Sequence, residues 1–145
     1  MRWYTLATFA LLLSLAPAAR SDEDKDSKSL QGTWLAQTAE LGGKPFPDEI
    51  RKTIKLTLED GKYTVSVAKN LDKGTVKLDP VAKPKAMDIT GTEGPNRGRK
   101  YLAIYELDGD TLKICYDLSG KARPNEFKST AGSQLFLVTY QREKK

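Results

Sequence analysis

Histidine is absent from the chain, and cysteine occurs once, at Cys115. Without histidine, no Ser-His-Asp or Cys-His machinery can be assembled, and zinc sites of the usual His/Cys kind are excluded. A single thiol forms no disulfide within the chain, so the fold must hold without one. A strong excess of one charge is lacking as well: 24 Lys and Arg stand against 19 Asp and Glu, a formal +5. The densest basic region, Lys83, Lys85, Arg97, Arg99 and Lys100, carries no interleaved aromatic residues. Nucleic-acid and membrane-surface sites need a clustered basic stripe, so neither partner is expected.

The one long apolar run is Thr5–Leu15, preceded by Arg2 and followed by Ala16-Pro17-Ala18-Ala19. It falls short of the roughly 20 residues that a helix needs to cross a bilayer, so no stable membrane insertion is expected. A positive residue, a short apolar core and small residues at −3 and −1 describe a secretory signal peptide, residues 1–18. The mature chain is then expected to start at Ala19 or close to it, in the periplasm or outside the cell. No cysteine stands at that boundary to carry a lipid. Residues 20–28, RSDEDKDSK, hold four acids, three bases and nothing apolar. Such a stretch cannot bury enough surface to offset its ordering entropy, so 19–29 is expected to be a disordered, solvated leader. The folded domain is then 30–145.

From Gly32 onward the apolar pattern has period two. Ile54, Leu56 and Leu58 alternate with polar residues, and so do Tyr63, Val65 and Val67 beyond the Asp60-Gly61 turn. Tyr101, Ala103, Tyr105 and Leu107 form one phase; Leu112, Ile114 and Tyr116 form the next after Asp108-Gly109-Asp110. Strict alternation bounded by Gly, Asp and Asn marks half-buried antiparallel strands. Eight are predicted: 33–41, 53–59, 62–68, 74–79, 86–91, 100–107, 111–117 and 134–142. Only 47–52 looks helical, with Pro47 at a first-turn position and Asp48 and Glu49 at the positive end of the helix dipole. The predicted fold is all-β, an eight-stranded antiparallel up-and-down barrel, because closure removes exposed edges. A two-sheet sandwich is the alternative.

The opening Leu30-Gln31-Gly32-Thr33-Trp34 resembles the Gly-x-Trp start of lipocalins and other calycins. In that family the tryptophan plugs the barrel base and an arginine of the last strand crosses its ring, which implies that role for Trp34 and Arg142. Leu30–Trp34, Gly74–Thr90, Gly94–Tyr116 and Arg123–Phe127 are similar to a family of small exported lipocalin-like domains abundant in planctomycete bacteria, over essentially all of 30–142. The resemblance implies a fold and an exported location, and no reaction. The chain lacks the disulfide pair and the Thr-Asp-Tyr triplet of true lipocalins, and it is shorter. Those differences bear on the size of the ligand cavity.

Several constellations have a functional and a structural reading. Asp108-Gly109-Asp110 and Asp60-Gly61 could offer oxygen ligands to calcium, but each suits a two-residue hairpin turn, and no metal or other cofactor is expected. With Asp108-Gly109 as the turn, Leu107 faces Asp110, Tyr105 faces Leu112, and Cys115 lies opposite Leu102 as a packed thiol. Arg123-Pro124-Asn125-Glu126-Phe127 reads as a structural loop, with Arg123 and Glu126 able to pair. Gly91–Arg99 has the composition of a mobile loop at a barrel mouth. Every strand Asp and Glu falls on the polar phase or in a turn, which leaves no buried carboxyl for acid catalysis, so an enzyme is not expected. The inward phase mixes aliphatic residues with Tyr101, Tyr105 and Tyr116, which would supply an apolar wall with orienting hydroxyls. Two readings follow: a barrel that binds a small apolar or amphipathic molecule at its mouth, or a filled barrel serving as an interaction or envelope-structural module.

Overall fold

The structure is a computed structural model that describes residues 18–144. Helix α1 (Ala18–Leu30) leads into β1 (Gly32–Leu41), the short strand β2 (Lys44–Pro45), the one-turn helix α2 (Asp48–Arg51) and β3 (Lys55–Glu59). There follow β4 (Lys62–Val67), β5 (Asn70–Asp79), β6 (Ala86–Glu93), β7 (Lys100–Asp108), β8 (Thr111–Asp117) and β9 (Leu135–Arg142). Consecutive strands from β3 to β9 pair antiparallel, β1 pairs with β3, and β9 returns to pair with β1 from Trp34↔Arg142 to Leu41↔Phe136. The sheet therefore closes as an up-and-down barrel of eight strands, with β2 a spur on β1. A bulge at Gln37, between Ala36 and Thr38, bends β1 at the seam where the barrel closes.

The two ends of the barrel differ. The base carries α1, the β3–β4 turn, the β5–β6 connection and the β7–β8 turn. The mouth carries α2, the β4–β5 turn, the 94–99 loop and the long 118–134 loop.

Two hairpins show how local sequence sets register. Glu59 pairs with Lys62, leaving Asp60 (φ 49°) and Gly61 (φ 74°) as a two-residue turn. Positive φ at both positions is the type I′ arrangement, which favours Asp-Gly and matches strand twist. Between β7 and β8 the turn is Gly109-Asp110, with Asp108 opposite Thr111, and not the expected Asp108-Gly109. Here positive φ falls on Gly109 (58°) at the first central position, where a type II′ turn requires glycine. The register consequently moves by two residues: Leu107 faces Leu112, Tyr105 faces Ile114, and Cys115 faces Ile104. A two-residue slip keeps every side chain on its face, so the apolar pairing survives.

The expected disordered leader at 19–29 is instead part of α1, which lies across the base. The helix has no apolar stripe, and what docks it is polar. Asp26 accepts hydrogen bonds from the Tyr105 hydroxyl (2.7 Å) and from Lys85 Nζ (2.8 Å). Its last carbonyls, which have no partners within a helix, are met from the barrel: Trp34 Nε1 donates to the Leu30 carbonyl (2.9 Å) and Arg142 to that of Ser29 (2.8 Å). Leu30 itself is buried in the core. The expected signal peptide lies, up to residue 17, outside the described residues.

The 118–134 loop folds down over the outer face of β6–β8. Ile104 and Cys115 point outward from the barrel yet are fully buried beneath it. Arg123 does not pair with Glu126. It clamps the loop by pairing with Asp88 and donating to the carbonyls of Met87 (3.2 Å) and Ala103 (2.8 Å), while Glu126 pairs with Lys128. Burial raises the Cys115 thiol pKa, and the thiol donates to the Lys128 carbonyl, so the cysteine is a packed group.

Candidate functional site

The base half of the interior is filled. Trp34, Tyr105 and Leu112 are fully buried there, and the Arg142 guanidinium lies 4.2 Å from the centroid of the Trp34 ring. Arg142 also donates to the Gln31 carbonyl (2.6 Å) and to Asp110 (3.0 Å), tying α1, β1, β9 and the β7–β8 turn together.

Between this layer and the mouth the interior is open. A cavity of about 180 Å³ is walled by Leu56, Val65, Met87, Ile89 and Ile114, with Val67, Leu118 and Phe136 nearest the mouth. Phe136 is held between Phe46 (5.3 Å, stacked) and Tyr116 (5.5 Å). The largest polar feature of the wall is a chain of side chains. Tyr101 donates to Asn96 Oδ1 (2.7 Å), and Asn96 Nδ2 donates to Asp72 Oδ2 (2.7 Å). Tyr63 donates to the same carboxylate oxygen (3.2 Å), while the Asn96 backbone N–H approaches Oδ1 (3.4 Å). On the other side the hydroxyls of Tyr116 and Tyr140 share a hydrogen bond of 3.0 Å. Burial, then the neighbouring Asp72 charge, lifts the Tyr63 pKa above the ordinary tyrosine value. Burial likewise lifts Tyr116, and Tyr140 to about 12.

Of the three tyrosines expected to line a binding site, Tyr101 and Tyr116 line the cavity. Tyr105 does not: four residues further along β7 than Tyr101, it stands at the base with its hydroxyl on Asp26. The expectation that no carboxyl faces inward fails at Asp72, which is only 7% exposed and lines the cavity. Its phase is hard to read from the sequence because Asn70, Asp72 and Lys73 are polar and Leu71 is the lone apolar residue of the segment. Extending the β5 alternation back from Leu78 and Val76 through Gly74 would have placed Asp72 inside. Gly74 is required there, because a Cβ at this position would collide with the Thr90 carbonyl and the Tyr63 ring. The other buried carboxyl, Asp117, faces away from the cavity. Burial works to raise its pKa, but hydrogen bonds from the Ser119 hydroxyl and from backbone N–H groups of 119–122 outweigh this and hold it low.

The loop at 91–99 is tied by hydrogen bonds. Gly91 N–H donates to the Arg99 carbonyl, Gly98 N–H to that of Gly91, and Asn96 fastens the loop to Asp72. Among the described residues no group of three or more metal-ligating side chains converges. A further hollow of about 400 Å³ lies outside the barrel, between α1 and the β3–β4 hairpin. Its rim of Glu23, Asp24, Lys28, Glu59, Asp60 and Lys62 makes it a solvated surface groove. Compared with known proteins, the chain matches no family model and no curated protein.

Proposed function

We propose that the protein is an exported, non-enzymatic lipocalin-like barrel that holds one small apolar or amphipathic molecule in the cavity at its mouth. The observation that carries this reading is the apolar cavity of about 180 Å³. An eight-stranded barrel either fills its interior with side chains or leaves room for one small ligand. An apolar protein cavity of about 150 Å³ stays dry and accommodates benzene or xenon. The chemistry that fits is a single ring or a short aliphatic chain, oriented by one or two polar groups at the mouth. Export rests on the signal-peptide pattern at 1–18, and likeness to the planctomycete lipocalin-like domains rests on the motifs quoted above. Binding is favoured over catalysis because one of the two buried carboxyls, Asp72, faces the cavity, without a second to act as its acid or base partner.

The second reading, a barrel that serves only to present its loops to a protein partner, draws on the cavity's size. Ligand pockets are commonly about 300–1,000 Å³, and this one is smaller. Calorimetric titration with toluene separates the two. Saturable one-to-one binding, abolished by Ile89→Phe without loss of thermal stability, is the expected result. No heat and no thermal stabilisation at saturating toluene would leave the interaction module as the account.

A further inference from the structure

We infer that the cavity is built for a cationic amine: a protonated amino group attached to a small apolar body, with Asp72 as its counter-charge. This inference rests on the binding reading above and narrows it to a ligand class.

Removing a charge from water is costly unless it is paired or heavily hydrogen-bonded. Elsewhere in the molecule the partly buried Asp26 has Lys85, and even the more exposed Asp88 and Asp110 have Arg123 and Arg142. Asp117 has the backbone N–H groups of its own turn. Asp72 differs, since among the described residues no lysine or arginine pairs with it. Its partners are Tyr63 and Asn96, both neutral. The chain from Tyr101 through Asn96 is polarised one way, with each donor aimed toward the carboxylate. The arrangement concentrates negative charge at the edge of an apolar cavity and supplies no positive charge to meet it.

Fastening the 91–99 loop uses only part of the carboxylate: Asn96 donates to both oxygens, through its backbone N–H and through Nδ2. An ionised carboxylate offers about four acceptor sites, and three donors reach this one, so a place for a further donor remains. The rings of Tyr63 and Tyr101 also line the cavity, and aromatic faces attract cations. An ammonium group here would meet a carboxylate and aromatic walls, while its apolar body would occupy the space among Leu56, Ile89 and Ile114. An anionic ligand would meet like charge.

The test is a series built on one phenyl ring, titrated calorimetrically into the purified protein: benzylamine, benzyl alcohol, toluene and benzoate. Benzylamine is expected to bind about tenfold or more tighter than toluene, with benzoate weakest, since a charge-assisted hydrogen bond in a desolvated site carries that difference. Asp72→Asn should erase the preference for benzylamine, with toluene titrated into the same variant to read whether the cavity is kept. Equal affinity for toluene and benzylamine in the unaltered protein overturns the amine inference and leaves the apolar-binding reading in place. Binding by none of the four overturns both. A benzylamine preference that persists in Asp72→Asn overturns the role given to Asp72. Should that variant fail to fold, the ranking of the four compounds on the unaltered protein decides.

Discussion

Arg142 shows how one side chain can hold several parts of a small barrel. It stacks on Trp34 at 4.2 Å, pairs with Asp110, and donates to the carbonyls of Ser29 and Gln31. Replacing it with alanine removes a cation–π contact and several charged hydrogen bonds, so a loss of roughly 2–3 kcal/mol is expected. The emission of Trp34 should shift to the red in the same variant. Differential scanning fluorimetry and a fluorescence spectrum check both, and an unchanged spectrum would contradict the stacked geometry. The tyrosines supply a second residue-scale expectation. Tyr63, Tyr105, Tyr116 and Tyr140 are all harder to ionise in the folded state, first because of burial. A group with a raised folded pKa contributes stability that is complete below its unfolded pKa and is lost as pH climbs through the folded one. The melting temperature should therefore hold up to about pH 10 and fall steeply above it. A melting temperature that stayed level to about pH 12 would contradict the buried hydroxyls. At this scale the pairing of Trp34 with Arg142 was legible, because the motif fixed both residues. Asp72 was not, since an aspartate beside Asn70 and Lys73 has the appearance of a turn until the strand is extended back to it.

The strands were read nearly to their ends, because alternation of apolar and polar residues is a property of each segment alone. The start of β5 before Gly74 escapes that pattern: in Asn70–Lys73 the one apolar residue, Leu71, lies exposed, and the strand conformation comes from pairing with β4, Val67↔Asn70 through Thr64↔Lys73. Helix α1 is the larger miss. Its sequence carries no amphipathic stripe, so its existence depends on tertiary contacts that local pattern cannot reveal. The tie that matters most is Asp26 to Tyr105, at 2.7 Å, with the Asp26 side chain 16% exposed. A double-mutant cycle with Asp26→Ala and Tyr105→Phe should return a coupling of about 1–2 kcal/mol in thermal or urea unfolding. Strict additivity of the two substitutions would mean that the helix does not seat on the base.

For the molecule as a whole, the barrel closes through β1 and β9, its base is sealed by α1 and the Trp34–Arg142 stack, and its mouth half encloses free space. Closure was legible as the solution that leaves eight short strands without edges. The cavity was not, because whether side chains fill a barrel depends on how they pack in three dimensions and not on the phase of any one strand. The barrel is thus asymmetric, with a packed base and an open mouth. Diffraction from a crystal of the protein pressurised with xenon tests it most directly, since xenon enters dry apolar cavities and is seen as isolated strong density. A xenon atom is expected inside the barrel, among Leu56, Ile89 and Ile114 and on the mouth side of Tyr105. A barrel interior without xenon, its space taken up by side chains, would contradict it.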